Sequence, residues 1–260
     1  MNSIEKNAKL KEKFNAVSVY SFGKEPVEKT RLAVFDFDDT LVKSQEMFYI
    51  LMEDAMKRLN LPHSEYIVKN VFANWDKEYF GWGKDLEEQK QIYVKKYQPL
   101  VTKLSNEMQY IKQMYFYDNM KSVIKSLAKT DIALAIASSR DLTSILTFMK
   151  MHGMKDYFSI IEATEGGKNF DDKPNTAIVN YIAQEVGIPL DRSVMIGDSP
   201  CDIQMGKDAG MKTIAVGYNK EKSEVDFLAG MKPDAMIDKE EYITILPFAI
   251  TLLLSQENSR

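Results

Sequence analysis

The sequence predicts an α/β protein, a doubly wound parallel sheet with a helical module inserted between its first two strands. Three observations carry that expectation. Short apolar, β-prone runs alternate with helix-like segments over most of the chain, the rhythm of βαβ units joined by right-handed crossovers. The first run, residues 32–35, is continuously apolar, the pattern of a strand buried on both faces of a parallel sheet. About ninety residues separate it from the second run, where a simple crossover needs about a dozen.

In chain order, residues 1–30 form an N-terminal extension that mixes lysine and glutamate with Leu10, Phe14 and Val17 at helical spacing. The α/β core takes residues 31–42 and 119–260, and the insert takes 43–118. Within the insert, apolar spacing predicts helices over 44–60, 85–97 and 105–115, with turns at Leu61-Pro62, Gly81-Trp82-Gly83 and Gln98-Pro99. The insert holds 14 of the 28 aromatic residues, including both tryptophans, as a small helical bundle needs for its core. Trp82, between two glycines, is the aromatic best placed to face a ligand, and Lys84, Lys90, Lys95 and Lys96 are candidates for a distal anionic group. Further core strands are expected at 132–137, 159–162, 194–196, 213–216 and 235–237, with helices over 120–128, 142–151, 174–185, 200–209 and 223–228. The apolar run 243–254 reads as a closing helix buried against the sheet.

Composition narrows the functions. Lys+Arg at 34 against Asp+Glu at 38 gives a formal net charge of -4, with no general attraction for nucleic acid or an anionic membrane. The apolar run 243–254 contains Pro247 and falls short of the roughly 20 residues that span a bilayer. A single cysteine, Cys201, forms no intramolecular disulfide, and the N-terminus lacks the apolar stretch of a signal peptide, so a reducing cytoplasm is expected. Cys201 reads as a small loop residue. His63 and His152 are the only histidines and read as cap or surface residues, which leaves acid–base work to carboxylates. The expected partner is a small molecule, and oligomeric state is left open.

The chemistry gathers where strands end, because ligands of such sheets bind outside the strands' carboxyl ends. After the first strand come Asp36-Phe37-Asp38-Asp39-Thr40, carboxylates that repel one another unless a cation or protons compensate them. After the second come Ser138-Ser139-Arg140, with hydroxyls and N–H groups suited to phosphate oxygens. After the third, Lys173-Pro174 opens a helix whose first turn suits the proline. Gly166-Gly167-Lys168 is no Walker loop, since Glu162 and Asn169 stand where glycine and Ser or Thr are required. After the fourth come Gly197-Asp198 and Asp202. Four chemically apt loops at one end of one sheet point to an active site.

These four loops, in this order and with a helical insert after the first, resemble the haloacid dehalogenase superfamily, in particular its capped aspartate-nucleophile phosphatases of the phosphoglycolate phosphatase and beta-phosphoglucomutase kind. The resemblance spans about residues 31–240. It implies a Rossmann-like core with a helical cap and a Mg²⁺-dependent phosphatase that hydrolyses a small phosphorylated metabolite through an aspartyl-phosphate. Asp36 is the implied nucleophile and Asp38 the acid and base for the leaving group and water. Ser138, Ser139 and Lys173 hold the phosphate. Mg²⁺ takes Asp36, the backbone carbonyl of Asp38 and Asp198, with Asp202 orienting Lys173 from the second layer. The chain departs from the family at Asp39 and Asp172, where glycine is common, and the second departure leaves Lys168 as the alternative to Lys173. A phosphosugar mutase, returning the phosphoryl group to a sugar hydroxyl, and a silent binding protein are the competing readings.

Overall fold

The computed structural model describes residues 28–168, 170–218 and 220–255. The extension expected over residues 1–30 lies, except for its last three residues, outside them. Eight strands are described: β1 (Arg31–Phe35), β2 (Val42–Lys43), β3 (Tyr115–Phe116), β4 (Ile132–Asp141), β5 (Ile160–Glu165), β6 (Ser193–Gly197), β7 (Lys212–Val216) and β8 (Ala235–Ile237). Six form one parallel sheet in the order β5-β4-β1-β6-β7-β8, and β2 pairs with β3 antiparallel. The strand order reverses between β1 and β6, so the crevice at their carboxyl ends is the switch point of the sheet.

The helices are α1 (Gln45–Arg58), α2 (Glu65–Asn74), α3 (Leu86–Ile92), α4 (Gln98–Ser105), α5 (Met108–Ile111), α6 (Met120–Leu127), α7 (Leu142–Met151), α8 (Ala177–Val186), α9 (Pro200–Asp208), α10 (Lys222–Gly230) and α11 (Leu246–Ser255). Alternation along β1 explains the double winding. Leu32 and Val34 pack with Ile178, Val179 and Ile182 of α8 and Met205 of α9, whereas Ala33 and Phe35 belong to the core that includes α6, α7 and α11. Both faces of β1 are therefore covered, as its continuous apolar run requires.

The segment between β2 and β3 is helical, with internal boundaries that differ from expectation. The turn expected at Gln98-Pro99 is absent: α3 runs through a π-helical turn at Tyr93–Tyr97 directly into α4, with Pro99 in the first turn of α4. Pro99 has no N–H for the regular i→i−4 bond, and the chain widens just before it instead of breaking. The helix expected over 105–115 shrinks to α5, because Ser105 closes α4 and Glu107 is extended at φ −77° and ψ 134°. Helix α2 falls within the insert read as helical, but apolar spacing gave it no bounds. Its sequence is rich in β-branched and aromatic residues, weak helix formers, and the usable signal was Ser64, whose Oγ accepts the Ile67 N–H.

In the core, α8 begins at Ala177 and not at Pro174. The Lys173–Pro174 peptide is cis, a turn runs from Asp172 to Asn175, and Asn175 Oδ1 accepts the Ala177 N–H. The closing helix starts at Leu246 after a 3₁₀ segment, Glu240–Ile245, and buries Leu246, Ile250 and Leu253. No helix among the described residues is long and apolar enough to cross a membrane.

Candidate active site

The carboxyl end of β1 sits between those of β4 and β6, and the Asp36 N–H donates to Ile196 O at 2.8 Å, which fixes Asp36 beside β6. Its carboxylate is buried and paired with Lys173 Nζ at 2.6 Å. Lys173, itself buried, also reaches Asp202 at 2.8 Å. Asp202 lies in the first turn of α9, where its Oδ2 accepts the N–H and hydroxyl of Ser199 in a capping box. This arrangement needs glycine at position 197, since a Cβ there would lie 2.4 Å from the Asp202 side chain. Asp198 completes the group: carboxylate oxygens of Asp36, Asp198 and Asp202 lie within 4.8 Å of one another.

Two carboxylates of the first loop point elsewhere. Asp38 is gripped by Arg140, with Nε at 3.0 and 3.1 Å and Nη2 at 2.7 Å, a two-pronged guanidinium–carboxylate pair. The guanidinium also lies over Phe48 of α1, 4.4 Å from the ring centroid, and so ties the core loop to the insert. Asp39 adopts φ 50°, a left-handed conformation that aspartate tolerates, and its Oδ1 accepts the N–H groups of Ser44 and Gln45 where α1 begins. Aspartate at this position thus takes a left-handed backbone and adds hydrogen bonds to the start of α1.

Burial dominates the electrostatics. It pushes the Asp36 carboxyl well above the ordinary value, with Lys173 pulling it back down and Asp202, Asp198 and Asp38 adding to the rise. Burial opposes the charge on Lys173, but Asp202 and Asp36 more than offset that and raise it. Asp198 is pushed up from 3.8 to about 6 by burial, against the pull of Lys220 and with a further push from Asp202. A carboxyl raised in the fold favours stability at low pH, and this contribution is lost as pH rises from 3.8 through about 6. Protonation removes the charge of Asp198, so a divalent cation held by it would bind more weakly, by calorimetry, as pH drops through about 6. Equal affinity well above and well below that value would contradict a metal-binding role.

Strand β4 runs to Asp141, four residues past its expected end, with an irregularity between Ser138 and Asp141. Ser138-Ser139-Arg140 is therefore the bulged end of a strand, and Asp141 is the residue that caps α7, accepting from the Thr143 and Ser144 N–H groups. Ser138 is buried, with its Oγ accepting the Arg140 N–H, and Ser139 is exposed. Lys168 stays outside the cluster: it is paired with the Tyr181 hydroxyl and lies over that ring. Trp82 does not face a ligand. It is fully buried against Tyr97, with Nε1 donating to Pro62 O at 3.1 Å, because the aromatics of a small bundle are needed as its core. Lys84, Lys95 and Lys96 are exposed and Lys90 is half-buried. Cys201 is exposed at the start of α9, and partial burial with Asp202 nearby pushes its thiol up, away from reactivity.

Sequence reasoning left Arg140 and Lys220 without a role. Arg140 stood inside a motif already singled out, two residues after Ser138. Lys220 follows β7, one strand beyond the four whose loops were considered, and its Nζ lies 2.9 Å from Asp198 Oδ2.

A doubly wound core with charged side chains converging at its switch point is the architecture of an α/β enzyme. The chain belongs to the haloacid dehalogenase-like hydrolases, whose family model matches residues 33–216. Among curated proteins, a phosphoglycolate phosphatase of Vibrio vulnificus is 24% identical over 226 residues, covering 81% of this chain and 93% of the relative. The pyrophosphatase PpaX of Listeria innocua is 23% identical over 221 residues, covering 81% of this chain and 93% of that protein. Among solved structures, that of a predicted phosphatase from Clostridium acetobutylicum matches with a TM-score of 0.66 at 17% identity, covering 86% of this chain and 100% of that one.

Proposed function

We propose that this hydrolase is a Mg²⁺-dependent phosphatase that cleaves the phosphoric monoester of a small metabolite by passing the phosphoryl group to Asp36 and then to water. The observation that carries the proposal is the buried Asp36–Lys173–Asp202 pairing with Asp198 alongside. A carboxylate attacks a phosphate monoester only where cations offset the repulsion of two anions. The clustered carboxylates Asp36, Asp198 and Asp202 contact two cations, Lys173 and Lys220, so formally the group carries an excess of negative charge that favours a further cation. The donors are all oxygen, which suits Mg²⁺, and Asp36, Asp198 and the backbone carbonyl of Asp38 would hold it. Bound there, Mg²⁺ supplies positive charge against the phosphoryl oxygens and the nucleophile.

The chain's own residues do the rest in this reading. Lys173 fixes Asp36 through Oδ1 and supplies positive charge to the phosphate, while Ser138 and Ser139 supply hydroxyls near the carboxyl end of β4. Asp38 protonates the departing alkoxide, which requires its protonated form to leave the Arg140 fork, and later takes a proton from the attacking water. Asp202 holds Lys173 and is itself held by Ser199, so it orients without touching substrate. Residues 43–118 act as the cap, in contact with the core where Ser144 Oγ donates to Ser105 O and Thr102 Oγ1 to Glu165. A cap above the switch point admits small substrates and excludes water. A cytoplasmic setting accords with the single cysteine.

The test is phosphate release from phosphorylated sugars, organic acids, nucleotides and pyrophosphate, with and without Mg²⁺. Metal-dependent release is expected, and none from any compound would overturn the reading, as would bisphosphate-dependent isomerisation of a hexose phosphate in place of hydrolysis. Asp38→Asn should slow alkyl phosphates by roughly 10²–10⁴-fold. In the first step, phosphoryl transfer to Asp36 read as a burst of released alcohol or phenol, p-nitrophenyl phosphate, whose leaving group needs no proton, should suffer much less, while hydrolysis of the aspartyl-phosphate slows for every substrate. Equal losses in that first step on both substrates would remove Asp38 from its acid role.

A further inference from the structure

The three cations of the site are not held alike. The Lys173 side chain is 4% exposed and contacts two carboxylates, and that of Arg140 is 1% exposed, forked onto Asp38 and stacked on Phe48. The Lys220 side chain is 20% exposed and reaches one carboxylate, Asp198. Its backbone is nevertheless anchored. The Lys220 N–H donates to Gly217 O at 3.2 Å, the Gly217 N–H donates to Ile237 O at 2.8 Å, and the intervening Tyr218 is buried edge-on against Tyr117. A fixed backbone carrying a flexible four-carbon arm with a point charge at its tip can release its partner without unfolding the loop.

Each oxygen of Asp198 meets one donor. Oδ2 is paired with Lys220 and Oδ1 accepts from Thr40 Oγ1 at 3.4 Å. Each oxygen keeps a second lone pair for a cation, but the Lys220 ammonium against the same carboxylate opposes that cation by its charge. We propose that Lys220 is a built-in competitor of the divalent cation: its ammonium neutralises Asp198 in the metal-free protein, withdraws toward solvent when a metal binds, and so sets the metal concentration at which the site fills. This inference rests on the metal-site reading above and adds a positioning residue that acts through Asp198.

The experiment measures Mn²⁺ binding to the full chain by electron paramagnetic resonance, with Mn²⁺ as an oxygen-seeking probe. The wild type is compared with Lys220→Met, which keeps length and loses charge, and with Lys220→Arg, which keeps charge. Removing a unit charge a few ångströms from the ion should tighten binding in Lys220→Met by roughly tenfold. Lys220→Arg should stay near the wild type. Thermal melting without metal verifies the fold, and Lys220→Gln replaces the methionine variant if that one does not fold. Binding in the neutral variant equal to or weaker than in the wild type overturns the inference and leaves the metal site intact. A wild type that binds no Mn²⁺ overturns the metal-site reading itself.

Discussion

Asp36→Asn should abolish phosphate release, by roughly 10⁴-fold or more, since the nucleophile has no substitute at the switch point. Asparagine keeps the size of the side chain and the backbone bond from Asp36 N–H to Ile196 O, so β1 stays in register with β6. The change leaves Lys173 with a partner, because its Nζ also contacts Asp202 at 2.8 Å. It also removes a buried carboxylate whose charge is disfavoured by burial. The fold should therefore survive, and the melting temperature should change far less than the rate. Phosphate release read beside a thermal melt separates the two effects. Residual turnover within about tenfold of the wild type would mean that water attacks the ester directly and that Asp36 serves only as a ligand.

Residue type and spacing made the core legible and left side-chain pairing obscure. The six sheet strands were readable because each is a short apolar run ending in turn chemistry, and β1 was unmistakable because both its faces are buried. The ends of β4 and β5 were not readable. Polar residues Ser138, Ser139 and Arg140 look like loop, yet parallel pairing carries both strands on to Asp141 and Glu165 through an irregularity that no periodicity announces. In the insert, a proline that reads as a break is absorbed by a π-helical turn, and α2 forms from weak helix formers because tertiary packing overrides propensity. The carboxylates could be placed from strand ends alone. Of their cations, Lys173 was placed through the family resemblance, with Lys168 as the alternative, and Lys220 was not, since the two reach the carboxylates from loops 137 and 22 residues away in sequence and only folding decides which lysine arrives.

That choice of lysine gives the second large effect. Lys173→Met should destabilise the metal-free protein by about 3–5 kcal/mol, because it strands two buried carboxylates, Asp36 and Asp202, without their shared cation. The loss should appear as a melting temperature lower by roughly 10 °C. Its pH dependence has a defined sign. Asp36 is already raised by burial, and without the pull of Lys173 it rises further, so the variant keeps most of its stability near pH 3.8 and loses it as pH climbs through the raised value. A divalent cation should restore part of the stability at neutral pH by supplying the missing charge. Turnover should fall by at least roughly 10²-fold even then, since the phosphate loses a preorganised donor. Lys168→Met is the control: Lys168 lies on the surface with Tyr181, and its removal should leave both melting temperature and turnover near the wild type. If the turnover outcomes alone were exchanged, Lys168→Met losing activity and Lys173→Met losing only stability, the lysine of the site would be Lys168, and the Asp36–Lys173–Asp202 pairing would be a structural bridge without a part in the chemistry.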